Sequence, residues 1–205
     1  MADYVWHHRH QFRDATVLEV GAGTSLPSLV LAKSIDPIRL ILSDIPSILP
    51  VVKGCLEKNQ LNHIWVQALE WGSMGTDKSI DRLVEQIEIT WDTKLDYILG
   101  SDTFYEPSQF EHLLVLVSYV IQRHNPNCIF LTTYQERSPK RSIQRLLDKW
   151  NLQCRMVPKH FFDFDENKYI MDHPLSEVKV NAGTLSSVFL LAISGKSCTH
   201  SVIFD

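Results

Sequence analysis

Cysteine is scarce: Cys55, Cys128, Cys154 and Cys198 are the only four in 205 residues, and no two of them form a C-x-x-C pair. Such wide spacing excludes the usual zinc ribbon and fits thiols of a reducing compartment better than a disulfide framework. Charge of one sign is lacking too. The net charge is -4 with both signs scattered, so neither direct nucleic-acid contact nor membrane-surface binding is expected, and a peptide or small substrate is favoured. The first 13 residues carry His and Arg but no apolar core, which excludes a signal peptide or membrane anchor and points to nucleus or cytoplasm. No G-x-S-x-G elbow is present to anchor hydrolase chemistry. Nine histidines are present, but His7, His8 and His10 read as terminal and flexible, and no pair shares a helix face with a carboxylate ligand, so no metal is expected.

What is there alternates. Apolar runs at 17–20, 39–43, 65–68, 95–100 and 128–133 read as buried strands, and helical patterns at 26–32, 49–59, 80–89, 109–124 and 141–150 fall between or after them. This is βαβ grammar, so five parallel strands are expected. The ending differs. Segments 153–157 and 186–194 are strand-like with no helical pattern between them, so they should form an antiparallel pair joined by a long polar loop over 161–183. The expected fold is an α/β, Rossmann-like sheet of seven strands, five parallel plus the antiparallel pair, with helices on both faces. Residues 1–16 form a short N-terminal segment and 17–205 a single domain large enough to bury roughly 70% of its unfolded surface.

The chemistry gathers at strand ends. Glu19-Val20-Gly21-Ala22-Gly23-Thr24-Ser25 turns sharply out of the first strand, which places backbone N–H groups where a ligand approaches closely. Asp44 ends the second strand, where a carboxylate can accept two hydrogen bonds from a ribose diol. A dinucleotide site normally wants a third glycine, absent here, whereas an adenosine-containing methyl donor carries no pyrophosphate and needs only this turn and one ribose acid. Glu19 is either solvated at a strand end or buried to orient the turn or the donor's ammonium. Trp71-Gly72 follows the third strand, and Trp71 serves either as packing or as a platform for an adenine face. After the fourth strand, Asp102, Tyr105 and Glu106 point toward the reaction space. There a carboxylate pair can grip a guanidinium, or Asp102 and Glu106 merely favour the start of the next helix. Glu136 follows the fifth strand as a spare acid, although Ser138-Pro139 also reads as a helix cap.

These motifs resemble those of the seven-β-strand S-adenosylmethionine-dependent protein methyltransferases, in particular their family 16 group, and the likeness spans nearly the whole chain. The family's E-h-G-A-G turn, ribose acid, W-G and D-x-x-Y or D-x-x-F loop correspond to Glu19 to Gly23, Asp44, Trp71-Gly72 and Asp102-Thr103-Phe104-Tyr105. Tyr4-Val5-Trp6, Thr24-Ser25-Leu26-Pro27, Ser101-Asp102 with Glu106-Pro107, and Thr133-Tyr134-Gln135 are most similar to a branch associated with arginine methylation of histone H3. The resemblance implies S-adenosyl-L-methionine as cofactor. It further implies a donor pocket of Trp6, Gly21, Ala22, Gly23, Asp44, Trp71 and Ser101, with Asp102 to Tyr105 facing a histone tail or other basic peptide. Base-methylating enzymes carry a proline-proline aromatic motif after the fourth strand. Gly100 to Tyr105 contains no proline, which argues for a protein side chain, and the resemblance to the arginine-methylating branch implies arginine before lysine. A non-catalytic scaffold for a chaperone or transcription factor is the rival. Its support is a departure from the pattern: relatives place a helix of about a dozen residues between the Trp matching Trp6 and the first strand, where here only polar residues 7–16 intervene. Ser28 stands where a glycine often follows Leu-Pro.

Overall fold

A computed structural model describes residues 1–135, 142–164 and 188–197. Its centre is a seven-stranded sheet: β1 (Thr16–Val20), β2 (Arg39–Asp44), β3 (Trp65–Ala68), β4 (Tyr97–Ser101), β5 (Ile129–Gln135), β6 (Leu152–Val157) and β7 (Val188–Gly195). The strands lie in the order β3-β2-β1-β4-β5-β7-β6. β1 pairs in parallel with β2 and β4, as do β2 with β3 and β4 with β5, whereas β7 runs antiparallel to both β5 and β6. The five parallel strands and the reversed pair expected from the sequence are therefore present.

Helices α1 (Ala2–His7), α2 (Leu26–Ser34), α3 (Leu49–Asn59), α4 (Ile80–Trp91), α5 (Pro107–Tyr119) and α6 (Gln144–Lys149) cover the sheet. Side chains alternate between its faces, so two cores form. Leu18, Val20, Ile98 and Phe130 share one with Leu83, Val84 and Ile87 of α4 and Leu113, Leu116 and Val117 of α5. Val17, Leu42, Leu99 and Leu131 share the other with Tyr4 and Val5 of α1, Leu29 and Leu31 of α2, and Val52 and Leu56 of α3. Glu19 falls in step with Val17 and is driven toward α2. That parity sets its chemistry.

Three readings are corrected at the chain level. The terminal histidines are ordered: α1 buries Tyr4 and Val5, a 3₁₀ turn over Arg9–Phe12 buries Phe12, and His8 Nε2 lies 3.0 Å from the Phe161 carbonyl oxygen. Burial of two aromatics outweighs the polarity of the surrounding residues. The fourth helix pattern is not one α-helix, since α5 ends at Tyr119 and continues as a single π turn over Val120–His124. The last helix is shorter than expected, at Gln144–Lys149. Glu136, Ser138, Pro139, Cys198 and the 165–183 part of the expected loop lie outside the described residues. Among those described, no helix is long and apolar enough to cross a membrane, and no group of three or more His, Cys, Asp or Glu could hold a metal ion.

Candidate functional site

The strand order reverses between β1 and β4. In an open α/β sheet that switch point leaves a crevice outside the carboxyl ends, because the helices leaving the two central strands cross to opposite faces. Here the crevice is a cavity of about 560 Å³ lined by Gly21, Gly23, Asp44, Ile45, Ile48, Leu69, Trp71, Ser101, Asp102, Thr103, Tyr105 and Gln109. A second cavity of about 350 Å³ shares Ser101 and continues past Glu19, Ala22, Thr24, Leu26, Pro27 and Thr133. Volumes in this range suit a cofactor-sized ligand.

The glycine turn bends through left-handed residues at alternate positions: Gly21 at φ 60°, Gly23 at 51° and Ser25 at 58°. Glycine adopts that region without strain, so the turn concentrates its cost at Ser25. Its N–H groups are less free than the sequence suggested. Ala22 N–H donates to the Ser43 carbonyl, Gly23 N–H to Asp44 Oδ2 at 2.9 Å, and Ser25 N–H to the Ala22 carbonyl. The turn's contribution at these positions is close approach. A Cβ on Gly21 would meet Trp71 Cζ2 at 3.4 Å and Thr103 Cγ2 at 3.6 Å, so the indole lies against the turn as part of the cavity wall.

Asp44 is fixed at both oxygens, Oδ2 by Gly23 N–H and Oδ1 by Ile45 N–H at 2.8 Å. A carboxylate has about four acceptor positions, so two remain for a diol. Glu19 is buried, 1% exposed, and its Oε2 accepts from Ser28 N–H at 3.2 Å. Burial pushes its carboxyl up to about 7, opposed by hydrogen bonding to Ser28 and reinforced by the Asp44 charge. A carboxyl poised there loses its proton readily when a cation arrives. Both acids therefore fit the adenosine and amino-acid ends of the cofactor that the motifs imply.

Asp102 lines the cavity at φ 54°, with its N–H donating to both the carbonyl and the hydroxyl of Thr133. A non-glycine residue held in this region marks a place where the surroundings outweigh local strain. Tyr105 also lines the cavity and is 60% exposed. Glu106 does not join them. Its Oε1 accepts from Ser108 N–H and Ser108 Oγ, capping α5, so the expected pair of gripping carboxylates is not assembled on the cavity wall. Trp6 is likewise absent from both linings. With Tyr4 and Val5 of α1 turned inward, Trp6 faces out, 55% exposed beneath the Arg9 guanidinium at 4.4 Å. Sequence reasoning missed Ile45, Ile48, Leu69 and Gln109. Ile45 carries the clearest signal, an apolar residue directly after the ribose acid, whereas Gln109 reaches the cavity only because α5 starts where it does.

Comparison with known proteins agrees with this geometry. Residues 2–149 match a family model described as lysine methyltransferase. The histone-arginine methyltransferase METTL23 of Xenopus laevis is 40% identical over 168 residues, covering 80% of this chain and 66% of that protein. The human protein of the same name is 35% identical over 173 residues, covering 81% of this chain and 82% of its own length. Mouse protein-lysine methyltransferase METTL21E is 27% identical over 165 residues, covering 78% and 58% respectively. The chain spans 66% of the Xenopus METTL23 relative and 61% of the mouse one. Among solved structures, a TehB-like SAM-dependent methyltransferase from Corynebacterium glutamicum superposes with TM-score 0.58 at 11% identity, covering 95% of this chain and 86% of that one. Magnesium protoporphyrin IX methyltransferase from Synechocystis, with bound SAM, gives TM-score 0.55 at 11% identity, covering 96% and 78%. At such identities the likeness is one of fold.

Proposed function

The chain belongs to the family 16 methyltransferases described as lysine methyltransferases, and from that membership we propose that it transfers a methyl group from S-adenosyl-L-methionine to a protein side chain, arginine in a histone tail or other basic peptide. The observation that carries this reading is one cavity running from Asp44 and Trp71 to Asp102 and Tyr105. Asp44 would hold the ribose, Trp71 and Ile45 the adenine, and Glu19 the ammonium of the tail, with the carboxyl ends of β1 and β4 between them. The cofactor supplies an electrophilic methyl on a sulfonium.

The chain's own residues supply alignment. Asp102 and Tyr105 would hold the acceptor nitrogen toward the methyl group that the cofactor would supply. An in-line displacement gains most from holding both partners in register, which converts an encounter of two molecules into a step within one site. Asp102 is the carboxylate on the cavity wall able to hold an incoming guanidinium by charge-assisted hydrogen bonds. Glu106, engaged as a cap, supports the loop that carries Asp102 and Tyr105.

Arginine is preferred over lysine because the Xenopus, mouse, human and rat relatives are named histone-arginine methyltransferases, while a more distant relative is named a protein-lysine methyltransferase. The reading includes work in both nucleus and cytoplasm, with a chaperone or transcription factor as docking partner; fluorescence microscopy and partner capture test those two parts. Calorimetric titration with S-adenosylhomocysteine comes first, with binding expected. Incubation with histone H3 and isotopically labelled donor, read by peptide mass spectrometry, then assigns the modified side chain. Methylated lysine in place of arginine would overturn the acceptor assignment, and failure to bind the donor product would overturn the enzyme reading.

A further inference from the structure

We propose that His112 is a positioning residue for the donor cavity: packed over Gly72, it holds the Trp71 indole against the glycine turn. This rests on the donor-site reading above. His112 lies on the outer surface of α5 and is exposed, so it is no part of either core. Yet a Cβ built on Gly72 would lie 2.8 Å from His112 Cδ2 and 3.1 Å from both Cβ and Cγ. The imidazole therefore sits on the bare backbone of residue 72. Gly72 itself is at φ 77°, so the position needs glycine twice, for its backbone and for the ring across it.

The segment from 69 to 79 has reason to need a brace. Its hydrogen bonds close largely within itself and on the neighbouring turn of α4: Glu70 N–H to the Lys78 carbonyl, Ser73 N–H to the Glu70 carbonyl, Thr76 N–H to Ser79 Oγ, and Gly75 N–H to Asp81. Leu69 anchors one end through its N–H to the Asp44 carbonyl. Beyond that point the turn takes a bond from Gln67 Nε2 to the Asp77 carbonyl, Trp71 packs on the core shared by α4 and α5, and two ring contacts complete its seat. Trp71 leans on Gly21, whose added Cβ would stand 3.4 Å from its Cζ2, and His112 closes over Gly72 from the other side. The indole thus has α5 seated on the residue that follows it and the glycine turn against its far edge.

The same helix face connects to the cavity. Gln109 lies one turn before His112 and lines the cavity beside Trp71, and its Oε1 is 3.4 Å from His112 Nδ1. Residues three apart share a helix face, so the two side chains present a continuous edge to the Trp71-Gly72 turn. His112 acts here by shape: the atoms over Gly72 are ring carbons and Cβ, and a Phe ring offers the same surface without the nitrogens.

The test uses the full chain labelled with 5-fluorotryptophan, whose five resonances include Trp71, assigned through Trp71→Phe. In the ligand-free protein, His112→Ala is expected to shift or broaden the Trp71 resonance while leaving that of Trp6, on the other face of the sheet and assigned through Trp6→Phe, unmoved. It should also weaken S-adenosylhomocysteine binding by up to about tenfold, the scale of one lost aromatic contact. His112→Phe should restore both resonance and affinity. An unmoved Trp71 resonance in His112→Ala would overturn the proposal, as would affinity lost without that spectral change or failure of the Phe variant to rescue. Should the wild type bind no donor product, the donor-site reading fails, and the ligand-free spectra still decide whether His112 holds Trp71.

Discussion

Two acids with different surroundings make separable predictions at the residue scale. Asp44 is half-buried and oriented by two backbone N–H groups. Replacing it with Asn keeps the shape and removes the charged acceptor. Charge-assisted hydrogen bonds contribute about 1.5–3 kcal/mol, so Asp44→Asn should weaken S-adenosylhomocysteine by about ten- to a hundredfold in calorimetry. Glu19 is the opposite case, buried and raised to about 7. Its folded value lies above its unfolded one, so the folded state keeps a proton that the unfolded state has released. Stability from this group is full below about 4.5 and falls as pH rises toward about 7. Glu19→Gln should therefore melt above the wild type at pH 8 and close to it at pH 4.5. Donor binding should run the other way: affinity rises with pH through about 7 in the wild type, as the carboxylate forms to meet an ammonium, and is flat in Glu19→Gln. Equal pH profiles for the two proteins would remove Glu19 from the tail site. The sequence exposed the identity and order of these acids, because each sits in a short motif at a strand end. It did not expose that the turn's N–H groups at 22 and 23 are spent internally, since that depends on how Asp44 and the Ser43 carbonyl reach across from β2.

At the scale of elements, His124 ties three of them together at the edge of the sheet away from the cavity. Leu95 N–H donates to its Nε2 at 2.8 Å, which leaves the proton on Nδ1 to donate to Glu88 Oε1 at 2.9 Å. The π turn after α5, the end of α4 and the approach to β4 thus meet on one neutral imidazole. Burial lowers its affinity for a proton, with Glu88 opposing, and a second proton would have to displace the Leu95 bond. Its folded value lies below the unfolded one, so its stabilisation is full above about 6.5 and is lost as pH falls below that toward the folded value. His124→Gln should lower the wild-type stability at pH 8 by about 1–3 kcal/mol, and the gap should narrow on acidification to pH 5; a constant gap would assign the bond no pH sensitivity. The five parallel strands and the reversed pair were legible because apolar runs of strand length alternate with helical patterns. Their spatial order was not, since β1 beside β4 and β7 between β5 and β6 are choices of long-range pairing that no local pattern encodes. The single π turn over Val120–His124 was hidden for a related reason: the helical apolar pattern continues through it, and His124 ends it by bonding outside its own helix.

For the whole molecule, the position of the cavity predicts how a ligand propagates. Its lining comes from the ends of β1, β2 and β4, the segments after β2, β3 and β4, and Gln109 of α5, so one bound molecule would join both sides of the switch point where the sheet divides. A ligand that binds only the folded chain stabilises it by about 2.7 kcal/mol at a hundred times its dissociation constant. At about 2–4 °C per kcal/mol for a chain of this length, that corresponds to about 5–11 °C in melting temperature. S-adenosylhomocysteine should produce such a rise in the wild type and a smaller one in Asp44→Asn at the same concentration. Hydrogen exchange should show where the gain arises: amides of the 21–25 turn, the 69–75 segment and the 101–105 loop should slow together, because a ligand touching all three removes their separate local openings. Protection confined to one of these segments would mean that the ligand occupies only part of the cavity, and the continuous path from Asp44 to Asp102 on which methyl transfer depends would not be formed.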